Sequence, residues 1–94
     1  MDNFTELTKI LAQVNDAKLM KKFMEAILTE AELTSILARW ELVKRLDRGE
    51  SQRQIATDLQ MSLCKITRGS KELKKRNSAF KKLLNIQKTI RKNP

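Results

Sequence analysis

The sequence has 94 residues, 40% of them hydrophobic and 33% charged, a balance typical of one small globular domain and not of a disordered or membrane-embedded chain. It contains no histidine and a single cysteine, Cys64, so it offers neither an internal disulfide nor a zinc site, and no metal ion is expected. Without a histidine, a glycine-rich phosphate loop or a base near the cysteine, an enzyme is not expected either.

The positive charge is confined to the second half of the chain. The net charge is +9, and residues 1–50 carry eight basic and nine acidic side chains, whereas residues 51–94 carry twelve and two. Such a basic half favours a polyanionic partner, most often nucleic acid, with an acidic membrane surface as the alternative. No apolar stretch approaches the roughly 18 residues that span a bilayer, and the start has no basic leader, so a cytoplasmic location is expected.

The first half is predicted to form three helices, because good helix formers dominate and glycine and proline are scarce. Apolar spacing predicts a helix over residues 4–14, capped by Asn3 or Asp2, and a second over residues 19–28. Thr29 and Glu32 have the spacing of a capping box, which predicts a long third helix that Gly49 ends. Its apolar stripe is predicted to comprise Leu33, Ile36, Leu37, Trp40, Val43 and Leu46.

Three more helices are predicted in the second half, from the residues that can cap them. Ser51 caps a short helix through Leu59, Ser62 caps one that runs to about Arg76, and Asn77 or Ser78 caps the last. All six helices are short enough that each alone buries little surface. We therefore expect a homodimer to supply the missing burial.

Residues 52–71 have the pattern of two helices joined by a tight turn. Ile55 and Ile66 are spaced to face each other, and Ala56 is small enough for the helices to cross closely. The bend is expected at Gln60, where many helix-turn-helix proteins have glycine. A helical hairpin within a core would show the same pattern, but the cationic second helix favours DNA recognition.

The segment ITRGSKELK, preceded by RGESQRQIA and further upstream by LTEAEL, resembles the bacterial Trp repressor family of tryptophan-responsive DNA-binding regulators. The similarity runs over about residues 28–84. It implies an all-α, intertwined homodimer whose helix-turn-helix heads read a palindromic operator and repress genes of tryptophan biosynthesis or uptake. Residues 1–50 and 77–94 would form the dimerisation core, and residues 51–76 the head, of a single domain.

The resemblance implies that L-tryptophan binds between core and head as a co-repressor. The binding residues carried over are Arg39, Arg68, Thr29, Ala26, Leu28, Gly69 and Glu72. Arg39 and Arg68 would sandwich the indole ring, a role that suits the planar guanidinium. Arg68 and Thr29 would meet the carboxylate, and the backbone carbonyls of Ala26 and Leu28 would accept from the ammonium of the ligand held by the partner subunit. Gly69 would let the ligand approach the backbone.

Glu72 is the main departure from the family, which usually has a small residue beside the amino group of the ligand. Its carboxylate could pair with the ammonium, or with Arg68 one helical turn earlier and so compete with the ligand. An exposed pair of that kind is weak, so the ligand is expected to win Arg68. The loop from Gly49 to Gln52 is also one residue shorter than usual, which would change the resting angle of the head.

The residues implied to contact DNA are Gln52, Arg53, Leu63, Cys64, Lys65, Thr67 and Lys74. Arg53 could bind guanine bidentately or hold a phosphate, and the sequence leaves both open. Lys65 stands where the family often has threonine, so a different operator sequence is expected. Cys64 is interpreted as a small contact residue and not as a redox-sensitive thiol.

Two alternatives remain beside the tryptophan-dependent repressor. The first is a DNA-binding regulator of the same fold that needs no ligand or another ligand, an alternative raised by Glu72. The second is a helical protein whose basic last helix binds RNA or acidic lipid. The basic residues of that helix are Lys81, Lys82, Lys88, Arg91 and Lys92.

Overall fold

The computed structural model describes residues 1–92, the last of them by its backbone alone, and this part of the chain forms six α-helices and no strand. The helices are α1 (Asn3–Gln13), α2 (Ala17–Ile27), α3 (Glu30–Asp47), α4 (Gln52–Leu59), α5 (Leu63–Lys74) and α6 (Ala79–Lys92). The predicted all-α class and the number of helices are therefore confirmed. The chain divides into two compact units, one ending at Ser35 and one beginning at Ile36.

Side-chain caps fix the helix starts in the first unit. Of the two candidates at the start of α1, Asp2 is the cap, because its carboxylate accepts from the backbone N–H of Thr5 at 2.8 Å. Asp16 caps α2 by accepting from two amides of its first turn. Thr29 and Glu32 form the predicted capping box, in which each side chain accepts from the backbone N–H of the other, at 2.8 and 3.1 Å.

The first unit contains no fully buried residue. Large apolar side chains are exposed along both of its complete helices, among them Phe4, Ile10, Leu19 and Ile27. An apolar face of this extent is uncommon on a monomeric protein and usually marks an interface.

The second unit is built around two small clusters that share α3. Leu42 packs with Ile55 of α4 and Ile66 of α5, as the sequence predicted for the last two. Its neighbour Val43 packs instead with Leu73 of α5 and Leu84 of α6. α3 therefore presents one apolar side to the α4–α5 pair and another to α6.

The predicted apolar stripe of α3 is only partly correct. Val43 is buried as predicted, but Ile36 and Leu37 are exposed, and the buried Leu42 was not included. A single stripe assumes one partner surface, whereas α3 contacts two clusters, so its buried residues lie on more than one side.

Two left-handed residues end the helices beside the first cluster. Gly49 ends α3 with a φ of +82°, and Gln60 ends α4 with a φ of +53°. After each helix a pair of backbone hydrogen bonds closes the last turn, including Glu50 N–H to Arg45 C=O and Met61 N–H to Ala56 C=O.

The predicted caps at Ser51 and Ser62 are present, and of the two candidates for the last helix Ser78 is the cap. Ser51, Ser62 and Ser78 each accept, through the side-chain oxygen, from a backbone N–H three residues later, at 3.3, 3.4 and 3.3 Å. α5 ends at Lys74, two residues before the predicted end, because a turn begins at Lys75, whose C=O accepts from Ser78 N–H at 3.2 Å.

Candidate functional site

A cavity of about 430 Å³ lies among α3, α5 and the start of α6, all within the second unit. The residues that line it are Arg39, Leu42, Val43, Lys65, Arg68, Gly69, Glu72 and Phe80. Three cations and one carboxylate thus stand around an apolar surface. A cavity of this size and lining fits an aromatic ligand that carries a negative charge.

Arg39 and Arg68 reach this cavity from different helices. Arg39 lies on α3 and Arg68 on α5, and both side chains are exposed. No ion pair formed within residues 1–92 involves either guanidinium. The planar faces of both groups are therefore available to a ring, and their N–H groups to a carboxylate.

Gly69 lies where α5 comes closest to α3. It is buried, and a Cβ at this position would lie 3.2 Å from Leu42 Cδ2 and 3.5 Å from Leu46 Cδ1. The resemblance attributed this glycine to the close approach of a ligand. The structure gives a second reason, since a larger residue would push α5 away from the core side chains of α3.

Glu72 does not pair with Arg68. Its carboxylate accepts from Lys75 Nζ at 2.8 Å, an i,i+3 pair in which both side chains are exposed to solvent. The hydrogen bond from Lys75, together with the charges of Lys75 and Arg68, lowers the pKa of Glu72 from its ordinary value, so the group is a carboxylate at neutral pH. Of the two possibilities that the sequence left open, competition between Glu72 and a ligand for Arg68 is not supported by this arrangement, and a contact with the ammonium of a ligand stays a prediction.

The other residues assigned to the ligand lie in the first unit. Ala26 belongs to the last turn of α2, and Leu28 is the residue that caps that helix. Carbonyls at the end of a helix lack an amide four residues ahead in the same helix, which leaves them able to accept from a ligand. The Thr29 hydroxyl accepts from Glu32 N–H at 3.1 Å and can still donate its own proton.

The residues predicted to contact DNA are exposed, and all lie on α4 or α5. Gln52 and Arg53 occupy the first turn of α4, and Lys74 the last turn of α5. Leu63, Cys64 and Thr67 line a shallow surface depression, the α5 groove, whose remaining lining residues are Arg68, Lys71, Glu72 and Lys75. Lys65 lines the cavity as well as standing at the start of α5, a double position that the sequence did not indicate.

Both carboxylates of the basic half are held by cations. Asp58 accepts from Arg45 at 2.6 Å, and Arg45 also donates to Glu50 at 2.8 Å. The hydrogen bond from Arg45 lowers the pKa of Asp58. With Asp58 and Glu72 both paired, the basic residues of α4 and α5 face an anion with little opposing charge.

The last helix is less cationic than its sequence suggests. Lys81 and Lys88 both pair with Asp47 at the end of α3, at 3.0 and 2.8 Å, and so connect α6 to α3. The side chain of Lys92 lies outside the described residues. These two pairs argue against an RNA- or lipid-binding role for α6, because two of the cations it would need are already engaged.

Within residues 1–92, no helix is long and apolar enough to cross a membrane. In the same part of the chain, Cys, Asp and Glu residues do not come together in a group of three that could hold a metal ion.

Sequence reasoning missed the apolar surface of the cavity. Leu42, Val43 and Phe80 line it together with the charged residues. The available signal was that Leu42 lies three residues after Arg39 on the same helix, and so on the same side. Phe80 offered no such signal, because its position depends on how α6 packs.

The chain is similar to proteins of one family. The family model described as Trp repressor protein matches residues 2–88. A Trp operon repressor homolog of Xylella fastidiosa (strain M23) is 36% identical over 75 residues, which cover 79% of this chain and 82% of the relative. A Trp operon repressor homolog of Vibrio parahaemolyticus serotype O3:K6 is 31% identical over 85 residues, which cover 89% of this chain and 82% of the relative. No solved structure gave a significant match.

Proposed function

Because the chain belongs to the Trp repressor protein family, whose members are DNA-binding transcriptional regulators and not enzymes, we propose that it is a repressor activated by L-tryptophan. It acts as a homodimer on a palindromic operator in the cytoplasm and controls genes of tryptophan biosynthesis or uptake. The observation that carries this proposal is the cavity lined by Arg39 of α3 and Arg68 of α5, because α5 also bears exposed basic side chains.

The residues of the cavity fit tryptophan. Arg39 and Arg68 stack on the two faces of the indole, and Leu42, Val43 and Phe80 give its edge an apolar contact. Arg68 also donates to the ligand carboxylate.

Three further residues are proposed to bind the ligand. Thr29 donates its hydroxyl proton to the ligand carboxylate. The carbonyls of Ala26 and Leu28 in the partner subunit accept from the ammonium, a contact that requires the dimer. A bound ligand contacts Arg39 on α3 and Arg68 on α5 at the same time. It therefore fixes the orientation of α5 relative to α3.

α5 is the proposed recognition helix. Leu63, Cys64, Lys65 and Thr67 meet base edges in the major groove from its first turns, where an entering helix comes closest to the bases. Gln52 and Arg53 contact DNA from the start of α4. Lys74 holds a phosphate and supplies affinity without sequence preference.

The exposed apolar residues of the first unit support the homodimer. Phe4, Ile10, Leu19 and Ile27 lie open in a single chain. Burying such side chains against a second copy contributes about 25 cal/mol for each Å² removed from water. In the second unit, α6 likewise has exposed apolar side chains, at Leu83, Ile86 and Ile90.

Calorimetric titration with L-tryptophan tests the ligand assignment. We expect one tryptophan per chain and a higher melting temperature when it is bound, because a ligand of the native state stabilises that state. Tryptamine, which lacks the carboxylate, should bind much more weakly. Arg39→Lys keeps the charge but loses the planar face and should also weaken binding.

The opposite results would contradict the assignment. If millimolar tryptophan produced no heat and no thermal shift, the co-repressor role would be excluded. DNA binding without this ligand would remain. Equal binding of tryptophan and tryptamine would exclude the contact between Arg68 and the carboxylate.

A further inference from the structure

Glu72 lies between two concave surfaces of the second unit. Its side chain lines the cavity together with Arg39 and Arg68, and it also lines the α5 groove together with Lys71 and Lys75. Lys75 is part of the groove lining and not of the cavity lining. One carboxylate therefore borders both the proposed ligand site and the basic surface proposed to face DNA.

The present partner of this carboxylate is easily replaced. Lys75 Nζ lies 2.8 Å from Glu72 Oε1, but the side chain of Lys75 is 63% exposed and that of Glu72 is 38% exposed. Ion pairs this open to water contribute little to stability and are made and broken readily. A cation held in place by several other contacts, as the ammonium of a bound amino acid would be, has an advantage over a flexible lysine.

We propose that Glu72 exchanges partners when the cavity is filled: the ammonium of an aromatic amino acid takes the carboxylate, and Lys75 is released to bind a DNA phosphate. This inference rests on the proposed function and adds a way in which the ligand regulates DNA binding. An aromatic acid without an ammonium fills the cavity but leaves Lys75 paired with Glu72.

The release of Lys75 adds an unpaired positive charge to a stretch of chain that is already basic and can bind a phosphate. Lys71, Lys74 and Arg76 are exposed on the same short stretch of chain, and no ion pair within residues 1–92 involves any of them. Each further phosphate that a protein neutralises steepens the dependence of log K on log salt concentration by about 0.9. Two chains should therefore steepen it by about 2.

The test compares two ligands of the same purified dimer, L-tryptophan and indole-3-propionate, which lacks the ammonium. Calorimetry first establishes that both bind. The affinity for a fluorescein-labelled duplex of mixed sequence is then measured by anisotropy across a series of salt concentrations, with each ligand at saturation. We expect the slope to be steeper by about 2 with tryptophan than with indole-3-propionate.

Three variants locate the effect. Lys75→Met should give the same slope with both ligands while still binding tryptophan, because the lysine to be released is gone. Glu72→Gln should also abolish the difference, and in addition should weaken tryptophan binding relative to indole-3-propionate. Lys74→Met is the matched control, since it should flatten both slopes equally and leave the difference between the ligands intact.

The outcomes separate this inference from the function on which it rests. Equal slopes for the unaltered protein, with both ligands bound in the calorimeter, would overturn the exchange and leave the co-repressor role standing. A slope difference that persists in Lys75→Met would also overturn it. Absence of heat with L-tryptophan would overturn the proposed function and the inference together.

Discussion

Gly49 and Gln60 occupy equivalent places at the ends of two helices, but only the glycine is suited to the left-handed backbone conformation found there. Both have positive φ, at +82° and +53°. Glycine adopts this region without strain, whereas a residue with a Cβ incurs a cost of about 1 to 2 kcal/mol. The turn between α4 and α5 therefore stores strain that the end of α3 does not.

Gln60→Gly should stabilise the protein. Relief of the strain outweighs the greater freedom of glycine in the unfolded chain, so the free energy of unfolding should rise by about 0.5 to 1 kcal/mol in urea denaturation. Gly49→Ala is the matched control and should lower it by about 1 kcal/mol, because no atom beyond residues 48–50 lies within 4 Å of the added Cβ and only backbone strain is introduced. A loss of stability in both variants would contradict this account of the turn.

The sequence does not predict which partners individual side chains contact. The pairing of Glu72 with Lys75 depends on rotamers, because a helical carboxylate can reach a cation either three or four residues away. Arg68 and Lys75 both met that condition, and the sequence pattern did not distinguish them. Lys65 was likewise placed on the recognition surface alone, since its second position beside the cavity depends on how α5 packs on α3.

At the level of helices the sequence predicts more, because the signals are local. The caps at Asp2, Thr29, Ser51 and Ser62 each join two residues only three positions apart, and all four are present. The division of α3 between two clusters was not predicted. Which neighbours Leu42 meets depends on long-range packing that a helical period does not encode.

Asp47 connects two helices and should make their packing depend on pH. Its side chain is only 8% exposed, and hydrogen bonds from Lys88 and Lys81 lower its pKa below the ordinary value of about 3.9. A carboxyl whose pKa is lowered by folding stabilises the folded state at any pH above its unfolded value. That contribution is lost as the pH falls below this value and through the folded pKa.

Asp47→Asn should therefore be less stable at neutral pH, by about 1 kcal/mol, a figure reduced because both lysines are more than half exposed. Thermal unfolding of the two proteins across the acid range would check this. The difference in melting temperature should shrink as the pH falls below about 3.9. A difference that stays constant down to strongly acidic pH would assign the effect to something other than the charge of Asp47.

The association state of the whole molecule should depend on its first unit, which has no buried residue and a largely exposed apolar surface. If a second copy covers that surface, unfolding includes dissociation. The melting temperature should then rise with protein concentration.

Ile27→Glu should weaken this association, because it places a charge on the proposed interface. Light scattering should report a dimer for the unaltered protein and a smaller mass for the variant. A mass of one chain for the unaltered protein, with a melting temperature independent of concentration, would contradict the homodimer.

The most direct test of the central claim is a selection from a pool of random-sequence duplexes, carried out with and without L-tryptophan. If the α4–α5 pair of each subunit reads DNA and tryptophan fixes its orientation, one palindrome should be enriched only in the presence of the ligand. Its half-sites should lie about one helical turn, 34 Å, apart. Equal enrichment without tryptophan, or no enriched sequence in either arm, would contradict the account of the protein as a tryptophan-activated repressor.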